Sequence, residues 1–382
     1  MYVGFNQFNL EQLAALQDKG FRGVELCPPA LGPISRRLLE ANESIKFFTR
    51  LKNREYKTRS KGIPRFYYGL LFLINSIFLQ FPILRKYRKT ALSIGAFLDS
   101  KYLKICTSFC NITIIPSDFL GATRQRKKAR TQILEIRWHH NIINSDRPSR
   151  LLDFPTSAIE RPWRWGEEFS QKADSFDGFI TYSNLARDSF VRSGISADSI
   201  FVVPIRSKIS HLKSNLIVQQ RDRKILFVGR DELDKGLDIA VAVSLASKIP
   251  LCVVGTYSRE IERWAKNFAN VEYLGNISHQ NLLHLMQTIE FYIAPGIESF
   301  GHSCTEALAS KMKVVGTEKV GVLEWYKELP NCFLAEELTV ESLNLALQGA
   351  INTEIPVDFQ FEEIDPKPFW ERAIDQLIMK HK

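Results

Sequence analysis

The chain has 382 residues, of which 45% are hydrophobic and 24% charged, so it has the composition of an ordinary soluble globular protein and the length for two domains. Its net charge of +9 is unevenly distributed: residues 36–130 hold 21 Lys and Arg against 5 Asp and Glu, and the remainder holds 30 against 37. A basic region beside an acidic remainder predicts that one lobe binds an anionic partner, such as phosphates, nucleic acid or an anionic membrane surface.

The cysteines and the longest apolar run predict the cellular compartment of the protein and its relation to the membrane. The six cysteines have no paired spacing typical of metal ligands, which favours free thiols in a reducing cytoplasm. We expect no signal peptide, because no basic segment with an apolar stretch opens the chain. The apolar run 66–84 is too interrupted for a membrane span. Its basic flanks leave two interpretations open, an amphipathic helix on a membrane surface or a buried helix with a solvated basic tail.

The first half of the chain is predicted to contain helices and scattered strands. Helices are expected at residues 10–19, in much of 30–100, at 167–173 and at 184–194. Strands are expected at residues 23–27, within 102–115, and at 133–138, 178–182 and 199–203. The strand at 133–138 ends directly before His139 and His140. Residues 205–223 are polar and of mixed charge, which is typical of a domain linker.

The second half alternates strands and helices regularly. Strands are expected at residues 224–228, 251–254, 271–274, 291–294 and 314–315. Helices are expected at residues 237–248, 260–268, 280–288 and 340–351, with a terminal amphipathic helix within 365–382. This alternation predicts a parallel sheet with right-handed crossovers.

The segment from Glu298 to Glu306 has the pattern of a strand exit, a tight turn at Gly301 and a helix start. At the end of a parallel strand, such a turn lies where ligands bind. Backbone N–H groups at the helix start favour an anion, and the two carboxylates can accept hydrogen bonds from sugar hydroxyls. A structural interpretation is also open, in which Ser303 and Glu306 form a helix capping box and Glu298 is a solvated loop residue.

Three motifs follow one another in the second half: Gly229-Arg230 with Lys235-Gly236, residues 271–276, and Glu298 with Glu306. They resemble, in the same order, motifs of the retaining glycosyltransferases of family 4, in which the first is the GR…KG loop and the second is a strand that ends in glycine. Glu298 and Glu306, with Phe300-Gly301 between them, match the E-x7-E motif with its spacing intact. The resemblance also includes Gly321 and Glu324 in the following loop, and it spans residues 175–330.

The first half resembles the family less closely. Residues 131–140 resemble the strand that ends in a histidine beside the donor sugar, and residues 175–203 resemble the segment before the interdomain linker. The first strand and its glycine-rich turn are not recognisable, and Gly4 is the single hint of them. Three positions expected near the site depart from the usual family pattern, namely Lys311, Lys313 and Val320.

The resemblance implies an α/β fold of the GT-B type, with two Rossmann-like domains that face each other across a cleft. Residues 1–206 would form the N-terminal acceptor-binding domain, and residues 207–362 the C-terminal domain that binds the nucleotide sugar. The helix within residues 363–382 would cross back to the N-terminal domain.

The resemblance also implies roles for single residues. Arg230 and Lys235 would neutralise the leaving diphosphate. Glu298 would bind hydroxyls of the donor sugar, and Glu306 those of the ribose. One of His139 and His140 would contact the donor sugar, with His139 preferred, since neighbours on a strand point to opposite faces. The implied nucleotide-sugar site comprises Gly229, Arg230, Lys235, Gly255, Asn276, Ile277, Glu298, Phe300, Gly301, His302, Ser303 and Glu306.

The resulting hypothesis is a metal-independent, retaining glycosyltransferase that needs no cofactor besides its nucleotide-sugar donor, UDP-glucose or another UDP-sugar. Its acceptor would be a glycan or lipid-linked molecule of polysaccharide or glycolipid synthesis. We expect it in the cytoplasm, either free or peripheral on the inner face of the membrane. The alternatives are an idle nucleotide-sugar-binding partner subunit and a UDP-sugar epimerase of similar fold. Nucleic-acid binding is disfavoured, because the basic stretch lacks interleaved aromatic stacking motifs.

Overall fold

The computed structural model describes residues 150–155, 173, 176–206, 221–230 and 233–379, together with the backbone of five short strands before residue 136. These residues form an α/β fold with two sheets. Within the described residues, the first sheet has seven strands in the order β3-β2-β1-β4-β5-β6-β7, and the pairs from β3 through to β6 are parallel. Its strands are β1 Tyr2–Val3, β2 Glu25–Cys27, β3 Arg65–Tyr67, β4 Ile112–Pro116, β5 Thr131–Glu135, β6 Gly178–Thr181 and β7 Ile200–Val202.

The N-terminal strand that could not be recognised in the sequence is β1. Tyr2 pairs with Glu25 on one side and with Ile114 on the other, so β1 lies inside the sheet, and Gly4 follows it directly. The sequence pattern missed β1 because two residues are too few to show the alternation that identifies a strand.

The apolar run 66–84 begins in a strand, because Phe66 and Tyr67 belong to β3 and pair with β2. A helix over the whole run was therefore wrong for its first residues. The rest of the run lies outside the described residues, so both interpretations of it stay predictions. In the part of the chain that the structure describes, no helix combines the length and the apolar character needed to cross a bilayer.

The second sheet is parallel throughout and has the order β10-β9-β8-β11-β12-β13. Its strands are β8 Asp222–Arg230, β9 Leu251–Thr256, β10 Val271–Gly275, β11 Ile289–Ala294, β12 Lys313–Gly316 and β13 Cys332–Leu334. The described helices are α1 Asn184–Arg192, α2 Leu237–Ser247, α3 Arg259–Lys266, α4 His279–Thr288, α5 His302–Ala309, α6 Leu323–Tyr326, α7 Val340–Asn352 and α8 Lys367–Met379.

The elements predicted between residues 178 and 351 are all present, with ends within two residues of the expected ones. Two short elements, α6 and β13, were not predicted. The helices expected before residue 150 lie outside the described residues, as does all but residue 173 of the helix expected at 167–173.

The second sheet is apolar on both faces, as expected for a parallel sheet covered by helices. Residues 251–254 of β9 and 291–294 of β11 are buried without interruption. Helix α2 buries Leu237 through Val241 and packs on α7, which itself contacts β12 and β13. This core fixes the carboxyl ends of the strands, and the loops that leave those ends carry the candidate site.

The chain divides into two compact units. One comprises residues 1–136, 172–180 and 366–382, and the other comprises residues 137–171 and 181–365. The terminal helix α8 belongs to the first unit, although it follows the second in sequence. The domain boundaries expected after residues 206 and 362 stay a prediction.

Candidate functional site

Two neighbouring strands carry glycines that let their backbones approach each other at the carboxyl edge of the second sheet. Gly229 in β8 pairs with Gly255 in β9. A Cβ on Gly255 would overlap the carbonyl oxygen of Gly229, and its φ of 145° lies in the region that side chains avoid. Arg230 follows at the end of β8 with an exposed side chain. Glycine is therefore required at this edge, where a ligand can meet bare backbone.

The loop before α2 is packed against the residues that follow β11. The Ile297 N–H donates to the carbonyl oxygen of Asp234 at 2.8 Å. A Cβ on Gly296 would lie 2.6 Å from the same oxygen, and a Cβ on Gly236 would overlap the carbonyl of Pro295. The two loops therefore occupy a single arrangement with glycine at these positions.

This packing brings Lys235 and Glu298 together. Lys235 Nζ lies 2.7 Å from Glu298 Oε2, and their side chains are 18% and 20% exposed. Solvent screens such a partly buried pair less than a surface pair. Lys235, which is predicted to bind the diphosphate, and Glu298, which is predicted to bind the sugar, therefore neutralise each other when no donor is present.

Backbone hydrogen bonds hold the loop that carries Glu298. The Glu298 N–H donates to Lys319 O at 2.9 Å, and Glu298 O accepts from the Gly321 N–H at 2.9 Å. The carbonyl of Phe300 accepts from the Val322 N–H at 2.7 Å. The backbone of Glu298 is thus held in place and its side chain is only 20% exposed, so the interpretation of Glu298 as a solvated loop residue was wrong.

Helix α5 begins at His302, with Gly301 as its N-cap in a left-handed conformation at φ 106° and with no side-chain cap. The hydroxyl of Ser303 is engaged elsewhere, because it accepts a hydrogen bond from the buried Tyr292 hydroxyl at 2.7 Å. Burial raises the pKa of Tyr292 well above its usual range, so this hydroxyl stays a donor. The predicted Ser303–Glu306 capping box was therefore wrong.

Glu306 instead points to a partner in another helix. Its Oε1 lies 2.8 Å from Nε2 of His279, the first residue of α4. The Glu306 side chain is 18% exposed and that of His279 is 57% exposed. Since His279 comes just after Asn276 and Ile277, this contact joins two stretches that the sequence assigned to the same nucleotide. The sequence did not single out His279, because nothing in its spacing to Glu306 marks the contact.

The acidic loop, which is residues 295–301 between β11 and α5, contains the aromatic residue Phe300, and His302 follows the loop as the first residue of α5. Phe300 is buried and meets the Tyr182 ring edge-on at 6.4 Å between centroids. His302 meets Phe300 edge-on at 5.0 Å between ring centroids, and part of the residue is exposed to solvent. Desolvation of the imidazole by the surrounding protein lowers the pKa of His302, the Glu298 carboxylate raises this pKa, and the Lys235 ammonium lowers it. Near neutral pH, His302 is therefore an uncharged hydrogen-bonding group at the helix start.

The predicted nucleobase region contains two tyrosines that the sequence analysis did not single out. Tyr257 and Tyr273 meet edge-on with centroids 6.0 Å apart. The Tyr273 hydroxyl donates to Gly255 O at 3.2 Å, and a Cβ on Gly229 would lie 2.7 Å from the Tyr257 hydroxyl oxygen. Asn276 and Ile277 follow β10 in the turn before α4. The tyrosines therefore surround the backbone of the two glycines at the strand ends.

The three departures from the family pattern have separate explanations. Lys313 begins β12 and pairs with Glu290 at 2.8 Å, so it lies at the amino edge of the sheet and not near the site as expected. Lys311 has φ 58°, a conformation that glycine adopts more readily. Val320 is buried at the site itself, where it bridges to Glu298 and would lie 2.7 Å from a Cβ on Gly301.

The structure thus brings Lys235, Glu298, Glu306, His302 and Ser303 to one edge of the second sheet, beside Arg230 and Gly255. His139 and His140 lie outside the described residues, so their role stays a prediction. Among the described residues, no group of three or more His, Cys, Asp or Glu side chains could hold a metal ion. The arrangement offers cations for a diphosphate and carboxylates for hydroxyls.

Residues 210–361 match the family model of the glycosyl transferases group 1. The chain is a glycosyltransferase. The matched residues include the second sheet and the site elements that follow its strands, so the motifs identified in the second half of the sequence lie inside the matched region. No curated protein sequence matches this glycosyltransferase.

Solved structures with a similar fold cover nearly the whole glycosyltransferase. A glycosyltransferase from Rickettsia africae ESF-5 is 16% identical with a TM-score of 0.51, and the match covers 100% of this chain and 93% of that one. Sucrose-phosphate synthase from Thermosynechococcus elongatus is 15% identical with a TM-score of 0.55, over 99% and 90%. Anabaena HepE, in complex with UDP and glucose, is 14% identical with a TM-score of 0.50, over 99% and 93%. At such identities these similarities show the fold, which is GT-B.

Proposed function

We propose that this glycosyltransferase is a retaining, metal-independent enzyme of family 4. It transfers a hexose from UDP-glucose or another UDP-sugar to a glycan or lipid-linked acceptor. The observation that carries the proposal is the Lys235–Glu298 pair, which lies at the carboxyl edge of a parallel sheet in the same segment as Glu306. Ligands of open parallel sheets bind at that edge.

The donor diphosphate can be neutralised without a metal. Transfer breaks the bond between the anomeric carbon and the phosphate oxygen, so negative charge builds on the leaving diphosphate. Arg230 and Lys235 supply positive charge from the two ends of the loop between β8 and α2, and the start of α5 supplies backbone N–H donors. Once the donor is bound, these groups lie at the diphosphate before the bond breaks, which is what electrostatic stabilisation of a transition state requires.

The carboxylates bind the hydroxyl groups of the donor. On donor binding, Lys235 leaves Glu298 for the diphosphate, and Glu298 becomes an acceptor for hydroxyls of the hexose. Glu306, which lies about one turn into α5, accepts hydrogen bonds from the ribose. After this exchange Lys235 is paired with the negatively charged diphosphate, and the Glu298 carboxylate accepts hydrogen bonds from neutral hydroxyls in place of the Lys235 ammonium.

We propose that retention follows a front-face route. The acceptor hydroxyl bonds to the anomeric carbon on the side that the diphosphate leaves, and its proton passes to a phosphate oxygen. One histidine of His139 and His140 contacts the donor sugar in this scheme. The basic stretch at residues 36–130 attracts a phosphate-bearing, lipid-linked acceptor in the cytoplasm or at the inner face of the membrane.

The proposal is tested by measuring the thermal stability of the protein with UDP, GDP, ADP and their glucose and N-acetylglucosamine conjugates, in the presence of EDTA. A ligand at 100 times its dissociation constant stabilises the native state by about 2.7 kcal/mol. We expect stabilisation by one UDP-sugar with EDTA present and transfer of its hexose to an acceptor. A catalytically idle subunit would bind the nucleotide sugar and transfer nothing, and a lack of response to every nucleotide would exclude both.

A further inference from the structure

The turn after β6, residues 182–183, contacts the acidic loop at Ser299. Ser183 is fully buried, and its hydroxyl donates to the carbonyl oxygen of Ser299 at 2.6 Å. The same hydroxyl accepts from the Ala186 N–H at 3.2 Å, so Ser183 is also the N-cap of α1. One side chain therefore fixes the start of a helix and the residue next to Glu298.

A second set of contacts joins the same turn to Glu324 and Trp325, which follow the segment that holds Glu298. Glu324 Oε1 accepts from the Asn184 N–H at 2.7 Å and lies 3.3 Å from Asn184 Nδ2. The Trp325 indole N–H donates to the carbonyl oxygen of Tyr182 at 3.2 Å. Glu324 thus provides an acceptor oxygen for a backbone N–H group at the N-terminal end of α1.

Gly321 lies between Ser183 and Ser299, where there is no room for a side chain. Its N–H donates to Glu298 O at 2.9 Å. A Cβ at this position would overlap both the Ser183 hydroxyl and the Ser299 carbonyl. The segment 319–324, the acidic loop and the turn after β6 are therefore packed as one unit around the backbone of Glu298.

We infer that Ser183 and Glu324 are positioning residues that hold the Glu298 carboxylate in its reactive geometry from outside the nucleotide site. The inference rests on the proposed function, since it gives Glu298 its role toward the donor sugar. Neither residue is part of the ligand set at the strand ends. Their loss therefore affects turnover of the sugar donor and leaves the binding of the nucleoside diphosphate, which Lys235 and Glu306 hold, nearly unchanged.

The test compares Ser183→Gly with the wild type. Glycine retains most of the N-cap preference of serine, so this change removes the hydroxyl bond to Ser299 with little loss of helix stability. We expect kcat for hexose transfer to fall about tenfold or more, because small displacements of a reacting group cost that much. The dissociation constant of UDP should change by less than about threefold, since a uniform loss of binding would appear there instead.

Thr339→Gly is the matched control. Thr339 also caps a helix by accepting a backbone N–H, that of Ser342 at 3.2 Å, but its helix α7 packs on α2, β12 and β13. This variant should retain kcat. Glu324→Gln keeps an oxygen for the Asn184 N–H and Glu324→Ala does not, so the alanine variant should lose more turnover than the glutamine variant.

Hydrogen exchange of the peptide that covers residues 298–301, measured without ligand, separates this inference from the proposed function. Faster exchange there in Ser183→Gly, with wild-type exchange in Thr339→Gly, supports the positioning role. Equal kcat and equal exchange in Ser183→Gly and wild type would overturn it. A wild type that transfers no sugar from any donor would overturn the proposed function and the catalytic part of this inference, while the exchange result would still decide the structural part.

Discussion

The two carboxylates of the site are supported in different ways. Glu298 lies on an irregular loop, and its backbone is held by the segment 319–322 and, through Ser299, by Ser183. Glu306 lies in the regular helix α5, and its side chain meets the exposed His279. Glu298 therefore depends on residues far away in sequence, whereas Glu306 needs only its own helix and one neighbour. Changes around Glu298 should act on turnover, and changes around Glu306 on nucleotide affinity.

The largest effect is expected for Glu298→Gln. A glutamine amide offers one neutral acceptor oxygen in place of the two charged oxygens of a carboxylate, and it no longer balances the charge of Lys235. We expect kcat to fall by about 10²- to 10³-fold, as when one preorganised electrostatic contact is removed from an active site. Steady-state kinetics with the UDP-sugar would measure the loss. A kcat equal to that of the wild type in this variant would show that Glu298 has no role in the transfer reaction.

Lys235→Met should weaken nucleoside diphosphate binding about tenfold to hundredfold, the range for one charged hydrogen bond. Calorimetric titration with UDP in EDTA measures it. The matched control is Lys313→Met, because Lys313 is 13% exposed and pairs with Glu290 at 2.8 Å at the opposite edge of the sheet. The control should lose stability and retain affinity. Equal losses of affinity in both variants would show that Lys235 acts only through stability.

His279→Ala should lower UDP affinity about threefold to tenfold, since the Glu306 carboxylate loses the partner that orients it toward the ribose. The same substitution should have no effect on the binding of a UDP analogue that lacks both ribose hydroxyls. Titration of both ligands into both proteins separates the two effects. Equal weakening for the analogue would mean that His279 acts on another part of the nucleotide.

The smallest effect is a pH dependence of stability. Burial raises the pKa of Glu324 to about 7 from its usual 4.5, although hydrogen bonds from the Asn184 and Leu185 N–H groups lower it. The folded state thus binds this proton more tightly than the unfolded state, and the stability from Glu324 declines as pH rises from 4.5 to 7. Glu324→Gln lacks this decline, so its Tm relative to wild type should be higher at pH 8 than at pH 5. A difference in Tm between Glu324→Gln and wild type that is the same at pH 5 and pH 8 would contradict the raised pKa of Glu324.

The sequence predicted most of the second sheet, because buried parallel strands are continuous apolar runs and their helices alternate with them. The resemblance to family 4 predicted that Glu298, Glu306 and Lys235 bind the donor; the structure brings the three residues to one edge of the second sheet, and donor binding by them stays a prediction. The sequence could not predict the contacts between distant segments. Ser183 and Ser299 are 116 residues apart, and only the fold brings them together. The contact between His279 and Glu306 could not be predicted for the same reason. Strand β1 could not be predicted either, because its two residues form a strand only through pairing with β2 and β4.

The most direct test of the central claim is a crystal structure with an intact UDP-sugar or an unreactive analogue of it. We expect Lys235 Nζ to have left Glu298 and to contact the diphosphate, with Glu298 on a hydroxyl of the hexose and Glu306 on the ribose. A nucleotide sugar bound elsewhere, with the 2.7 Å Lys235–Glu298 pair intact, would contradict the account.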